Sequence, residues 1–350
     1  MSTSVPWVDL SRRAELQTVR EAISRVLESG QLIGGHEVER LEGTVAGWMG
    51  RDFGIAVSSG TAALELSLTA LGIGEGDEVI VPAVSFVATA GAVVRVGATP
   101  VVVDVGSDGP WMDPSAARAA VTSRTRAVIP VHLFGSKCPD LDLEIPVIDD
   151  ACQAVCPGGP STGLLTALSF YPTKVLGGIG EGGMILTDDS VLAERLCALR
   201  NHGMDRAGRS VEARGTNARL NAIQAAAIWA QMDTMAEELA RREDIASALD
   251  AVVGSSAVPR DETGPVSIYA LQTETRDSLA DTLRLAGVAT QVYYALPVHA
   301  HPSIAAHCRT PEPTPNADRF CAQTLALPCH GGISDSQLQY MVKMLREALS

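Results

Sequence analysis

The sequence has 350 residues, 46% of them hydrophobic, enough for a large buried core and, by length, for two domains. Its formal net charge of -14 excludes the basic footprint that nucleic acid or an anionic membrane surface requires, though a local basic cluster could still hold a small anion. No basic start followed by an apolar run opens the chain, no apolar stretch is long enough to span a bilayer, and the seven cysteines are scattered and odd in number, so a cytoplasmic protein with reduced thiols is expected.

Residues 10–30 are expected to form a helix that docks on a smaller C-terminal domain. From about residue 54 to 187, short apolar runs alternate with helical stretches. "GIAV" is followed by the helix "TAALELSLTALG", "DEVIVP" by "SFVATAGAVVRVG", and "TPVVVDV" by "DPSAARAAV", with Asp113 as N-cap and Pro114 at the first position. "RAVIPV", "IPVIDD", "TALSFY" and "GMILT" complete the strands. Strands alternating with helices predict an α/β fold with a mostly parallel sheet covered on both faces. Beyond residue 190 come the helix "VLAERLCALRNHG" and a long, broken helical stretch from Ala218 to Leu249. A smaller domain follows, with strand "VSIYALQ", helix "RDSLADTLRLAG", strand "ATQVYY", a Pro-rich loop "HCRTPEPTPNAD" and a helix after Ser334. The expected division is 1–235 for the large domain and 236–350 for the small one.

In open α/β sheets, ligands bind beyond the carboxyl ends of the strands, and four of those ends carry polar residues here. Ser59, Gly60 and Thr61 stand between a strand and a helix start, where free N–H groups suit a phosphate. Asp149 and Asp150 end the strand "PVID", with Gln153 three residues beyond Asp150. Phe86 could stack on a flat ring. Ser169 and Lys174 share "SFYPTK", which runs into the glycine-rich "VLGGIGEGG". Singly, each reads as an ordinary cap, core ring or surface lysine. Together, a phosphate cradle, an acid, a stacking ring and a lysine are what pyridoxal phosphate needs. The glycines would let the backbone pass close to that cofactor. Cys152 and Cys156, with His132 and Cys138 upstream, lack a paired C-x-x-C, and no metal is expected.

These motifs, together with "SGQLIGGHEVERLE", "AVIPVHLFG", "IDDACQA" and "GTNARLNAIQAA", resemble in order those of the DegT/DnrJ/EryC1/StrS sugar aminotransferases. The resemblance implies the fold-type-I aminotransferase architecture: a seven-stranded, mostly parallel sheet between helices, plus a smaller C-terminal α/β domain. It implies that Lys174 forms the Schiff base and moves the proton, that Asp150 meets the pyridine nitrogen and Gln153 the ring hydroxyl, and that Phe86 stacks on the ring. It assigns the phosphate to Thr61, Ala62 and Ser169. Asn217 is similar to the residue that reaches the cofactor phosphate of a partner subunit, which implies a homodimer with shared sites. Asp149 stands where relatives usually have Glu, and the spacing to Gln153 selects Asp150 as the acid.

Three departures bear on the site. Only 13 residues separate Gly135 from Asp149, where relatives carry a longer, helical connection. "GPSTGLLTAL" replaces the common Gly-Asp before the "SFYPTK" strand, which predicts a remodelled loop near the cofactor. Ala218 stands where Tyr or Ser is common. The expected reaction moves an amino group from an amino acid, L-glutamate by resemblance, to a nucleotide-linked keto sugar. The "SGTAAL" form favours a 4-keto-6-deoxy sugar, with a 3-keto sugar or a keto-cyclitol as alternatives. A sugar dehydratase of this family would carry His in place of Lys174, and a sensor would need a DNA-binding or membrane segment. The cluster Arg206, Arg209 and Arg214 is expected to meet the substrate diphosphate from the neighbouring subunit.

Overall fold

Residues 4–11, 16–261 and 264–349 are described by a computed structural model of the chain. The apolar runs of the first half become β1 (Phe53–Val57), β2 (Glu78–Pro82), β3 (Thr99–Val103), β4 (Thr125–Val128), β5 (Ile148–Asp150), β6 (Leu165–Ser169) and β7 (Gly183–Thr187). They pair in two groups, β3-β2-β4 and β5-β6-β7-β1. Parallel bridges from Val128 to Val147 and from Val131 to Asp150 join β4 to β5, so the seven strands form one continuous sheet. Neighbours run parallel except at β7, which is antiparallel to both β6 and β1. β2, β6 and β7 are buried along their whole length, which is why they read as unbroken apolar runs rather than alternating ones.

The helix Gly60–Ala70 is apolar nearly all round because it lies between the sheet and other helices, with Leu64, Leu66 and Leu68 buried. Asp113 caps the helix Pro114–Ala119, accepting from Ser115 N at 2.7 Å. From Ser136 to Val147 the chain makes no helix, yet β4 and β5 still pair in parallel. The shortened connection therefore leaves the sheet intact.

Three expectations need correction. The segment "ATQVYY" is not a strand, since Gln291 makes only a single antiparallel bridge to Ala326. The strand that pairs with β8 (Tyr269–Gln272) is β9 (Thr324–Leu327), preceded by the helix Pro315–Gln323. Pro315 starts that helix, where a missing N–H costs nothing, rather than extending the Pro-rich loop. Of the helix expected at 10–30 to dock on the C-terminal part, the described portion packs elsewhere. That portion, Gln17–Ser29, packs Val19, Ala22 and Val26 against Ala222, Ala226, Ala227 and Ala230. Small side chains on the helix Ala222–Trp229 let the two helices approach closely. Residues 12–15 of the expected helix lie outside the described residues.

A second core gathers Val5, Tyr269, Leu271, Leu325, Met341 and Leu345. The helix Met235–Val253 links the two cores: Met235 packs with Phe170 and Leu176, and Ile245 and Leu249 pack with β8 and β9. On the same helix Arg242, 3% exposed, donates to the carbonyls of Val266, Ser267 and Cys329 at 3.1, 3.1 and 2.7 Å and pairs with Glu238 at 2.8 Å. Those bonds satisfy backbone groups that no ladder reaches.

Candidate active site

A cavity of about 480 Å³ opens beyond the carboxyl ends of β2, β4, β5 and β6. Ser59, Gly60, Thr61, Phe86, Asp150, Gln153, Ser169 and Lys174 all line it. Its opposite wall is built from sequence-distant residues, among them Trp7, Arg242, Tyr293, Tyr294 and His330.

Ser59 caps the helix Gly60–Ala70, its hydroxyl accepting from Ala62 N at 3.1 Å. Ala62 thus spends its N–H on the cap, while the first-turn N–H groups of Gly60 and Thr61 have no acceptor within the helix. A Cβ on Gly60 would stand 2.8 Å from Cys152 Sγ and 2.9 Å from Ser169 Cβ, so only glycine keeps this corner open. Ser169 is buried beside it and accepts from Tyr171 N at 3.3 Å.

Strand alternation turns Asp149 and Asp150 to opposite sides. Asp150 faces the cavity, its Oδ2 accepting from Thr89 Oγ1 at 2.8 Å and its Oδ1 from Cys152 N at 3.3 Å. Asp149 Oδ2 accepts from Thr162 N at 2.8 Å and Gly163 N at 2.7 Å, and its Oδ1 lies 3.2 Å from His132 Nε2. Burial alone would raise the Asp149 carboxyl, but His132 and the two N–H donors outweigh it and hold it below the usual carboxylate range. His132 Nδ1 in turn accepts from Cys138 N at 3.0 Å, so the imidazole ties the shortened connection to the loop before β6. That loop closes on Asp149. A Cβ on Gly163 would meet Val147 O at 2.7 Å.

Burial lowers the Lys174 ammonium below the ordinary lysine range, with Cys152 and Asp150 pulling the other way. Phe86 is 56% exposed, its ring centroid 6.1 Å from that of Tyr294. Gln153 Oε1 accepts from Phe134 N at 2.8 Å, and its Nε2 donates to the Tyr294 hydroxyl at 3.2 Å. Burial raises the Tyr294 hydroxyl, and Tyr293 and Asp150 add to the rise.

The glycines after Lys174 serve packing more than the cavity. A Cβ on Gly178 would meet Gln224 Oε1 at 2.7 Å, and one on Gly183 would strike the carbonyl of Ser59. Asn217 is exposed, bridges to Asn201, and does not line this chain's cavity. Nor do Arg206, Arg209 and Arg214. Arg209 pairs on the surface with Asp205. Arg214 donates to the carbonyls of Ile73 and Thr69 at 3.0 and 3.2 Å, closing the end of the helix Gly60–Ala70, a structural role the sequence did not suggest. Thr89, Arg242, Tyr293, Tyr294, Trp7 and His330 went unnoticed in the sequence. Only Thr89 had a signal, standing three residues after Phe86 at a helix start.

The sequence model of the DegT/DnrJ/EryC1/StrS aminotransferase family matches residues 14–346. The chain is 36% identical to the UDP-2-acetamido-2-deoxy-3-oxo-D-glucuronate aminotransferase of Pseudomonas aeruginosa, covering 97% of this chain and 99% of that protein. It is also 36% identical to a dTDP-3-amino-3,4,6-trideoxy-alpha-D-glucose transaminase of Streptomyces venezuelae, over 98% of this chain and 96% of that one. The crystal structure of S. venezuelae DesV superposes with a TM-score of 0.91 at 35% identity, covering 99% of this chain and 98% of that one.

Proposed function

The chain belongs to the DegT/DnrJ/EryC1/StrS aminotransferase family and is a pyridoxal-phosphate-dependent aminotransferase, and from that premise we propose that it moves an amino group from L-glutamate to a nucleotide-linked 3-keto sugar. The names of both relatives put the keto or amino group at the 3-position, which weighs more than the "SGTAAL" form that favoured a 4-keto sugar.

The observation that carries the reading is that Lys174 and the buried carboxylate of Asp150 meet in one cavity, one corner of which is a helix start with open N–H groups and a glycine whose Cβ would crowd Cys152 and Ser169. This donor set fits the cofactor. Pyridoxal phosphate, when bound, supplies a carbonyl that takes up nitrogen and a ring that accepts electrons. Gly60 N, Thr61 N and Ser169 would hold its phosphate. Asp150 would face the ring nitrogen, Gln153 the ring hydroxyl, and Phe86 one ring face. Lys174 would hold and move a proton at Nζ, and its lowered pKa favours the neutral amine that a base requires. Tyr293, Tyr294 and Trp7 would keep water from the reacting atoms.

The protein would act as a homodimer. Leu32, Ile33 and Ile179 are exposed around the start of the helix Ala222–Trp229, where Leu32 O accepts from Ala222 N and Ile179 N donates to Gln224. Asn217 would reach the cofactor phosphate of a second copy, and Arg206 and Arg209 its diphosphate. The membrane enters nowhere in this scheme, and no described helix is long and apolar enough to cross one.

The test is to load the purified protein with pyridoxal phosphate and follow its visible absorbance on adding L-glutamate, then supply UDP- and dTDP-linked 3-keto and 4-keto sugars and identify products by mass. Bleaching by glutamate and a 3-amino product are expected. No aminated nucleotide sugar from any of the four would sink the reading.

A further inference from the structure

We propose that Thr89 is a positioning residue that holds the orientation of the Asp150 carboxylate through a two-hydroxyl relay from Ser85, and so sets the protein's grip on its cofactor. The proposal rests on the reading of the cavity as a pyridoxal phosphate site. Ser85, Thr89 and Asp150 are 2%, 1% and 6% exposed. Ser85 Oγ lies 2.6 Å from Thr89 Oγ1, and Thr89 Oγ1 lies 2.8 Å from Asp150 Oδ2. An ionised carboxylate only accepts, so the Thr89 hydroxyl donates to Asp150 and must itself accept from Ser85. The hydrogens therefore run one way, from Ser85 to Thr89 to Asp150, and each donation strengthens the next.

The contact does two things. It supplies a short hydrogen bond to a buried carboxylate, while Cys152 N donates to the other oxygen from farther off, at 3.3 Å. It also crosses the sheet. Ser85 and Thr89 follow β2, Asp150 ends β5, and Phe86 lies between the two hydroxyls in the chain. One short segment thus sets both the exposed ring and the acid. A threonine placed there only to start the helix Ala88–Arg95 would need no second hydroxyl behind it.

The experiment titrates pyridoxal phosphate into the apoprotein and reads Kd from absorbance. Thr89→Val keeps the volume and removes the O–H, and it should raise Kd about tenfold or more, the size expected of a hydrogen bond to a charged group. Thr89→Ser should return Kd to near the wild-type value. In an Asp150→Asn background, Thr89→Val should add less than about twofold, because its partner's charge is already gone. Ser85→Ala should give a smaller loss of the same kind, and it stands in if Thr89→Val fails to fold. An unchanged Kd in Thr89→Val, or the same fold-loss in both backgrounds, overturns the proposal. A wild-type protein that binds no pyridoxal phosphate, or an Asp150→Asn protein that binds it unchanged, overturns the cofactor assignment and the proposal with it.

Discussion

Asp149 and Asp150 sit side by side in β5 and, among the described residues, are held by different partners: Asp149 by Thr162 N, Gly163 N, Thr166 and His132, and Asp150 by Thr89 and Cys152 N. The two carboxylates should therefore respond differently to the same substitution. Asp150→Asn keeps the shape and loses the charge facing the cavity, and turnover should fall on the order of a thousandfold with little loss of stability. Steady-state rates compare it with Asp149→Asn. A larger rate loss in the latter would reverse the assignment.

Asp149 should instead report on acid stability. Its folded pKa is depressed, so the stability it contributes is present above the ordinary carboxylate range and is lost as pH falls through the depressed value. The wild-type protein should lose stability on acidification below about pH 4. Asp149→Asn should be less stable at neutral pH and show a shallower acid slope in urea denaturation.

Lys174→Ala should leave the far-UV circular dichroism unchanged and abolish turnover, because the side chain would supply both the covalent anchor and the transferred proton. Transamination at the wild-type rate would end the assignment.

Gly60→Ala puts a methyl group into the corner between Cys152 and Ser169, at 2.8 and 2.9 Å from their side chains. Affinity for pyridoxal phosphate should drop about tenfold or more, since one unfavourable contact of about 1.4 kcal/mol suffices. A cofactor titration of the variant checks this, and unchanged binding would move the phosphate elsewhere.

Arg242 ties the helix Met235–Val253 to the second core through three carbonyls and pairs with Glu238 one turn away. Arg242→Met should cost about 3–5 kcal/mol, because it leaves three buried carbonyls without their side-chain donor and removes the cation beside Glu238. The urea midpoint of the variant measures it. A midpoint within error of wild type would show that water replaces the guanidinium.

Arg206→Ala with Arg209→Ala should raise KM for a nucleotide keto sugar more than for L-glutamate, and the effect should shrink as salt rises. Arg214→Ala should act on stability instead, through the carbonyls of Thr69 and Ile73. If the double variant has unchanged KM for the sugar, these arginines take no part in binding it.

The strands of the large sheet were legible because each is a local pattern: an apolar run such as "DEVIVP" or "GMILT" between turn signals needs no distant partner to be recognised. The cavity floor was legible for a related reason. Ser59 to Thr61, Asp150 and Lys174 each follow a strand end, and a parallel sheet brings all such ends to one edge. The sequence alone thus determined the sheet, the edge where the site lies and the residues on its floor. The spacing to Gln153 had already selected Asp150 over Asp149, but only the tertiary structure decided what holds the rejected carboxylate, since Thr162, Gly163 and His132 reach Asp149 from other segments of the chain. It decided that Gln17–Ser29 rests on the alanine face of Ala222–Trp229, since an amphipathic helix carries no mark of its partner. It also decided the far wall. Trp7, Arg242, Tyr294 and His330 meet there from segments far apart in the chain, and contacts across such separations arise from packing, which no local spacing encodes.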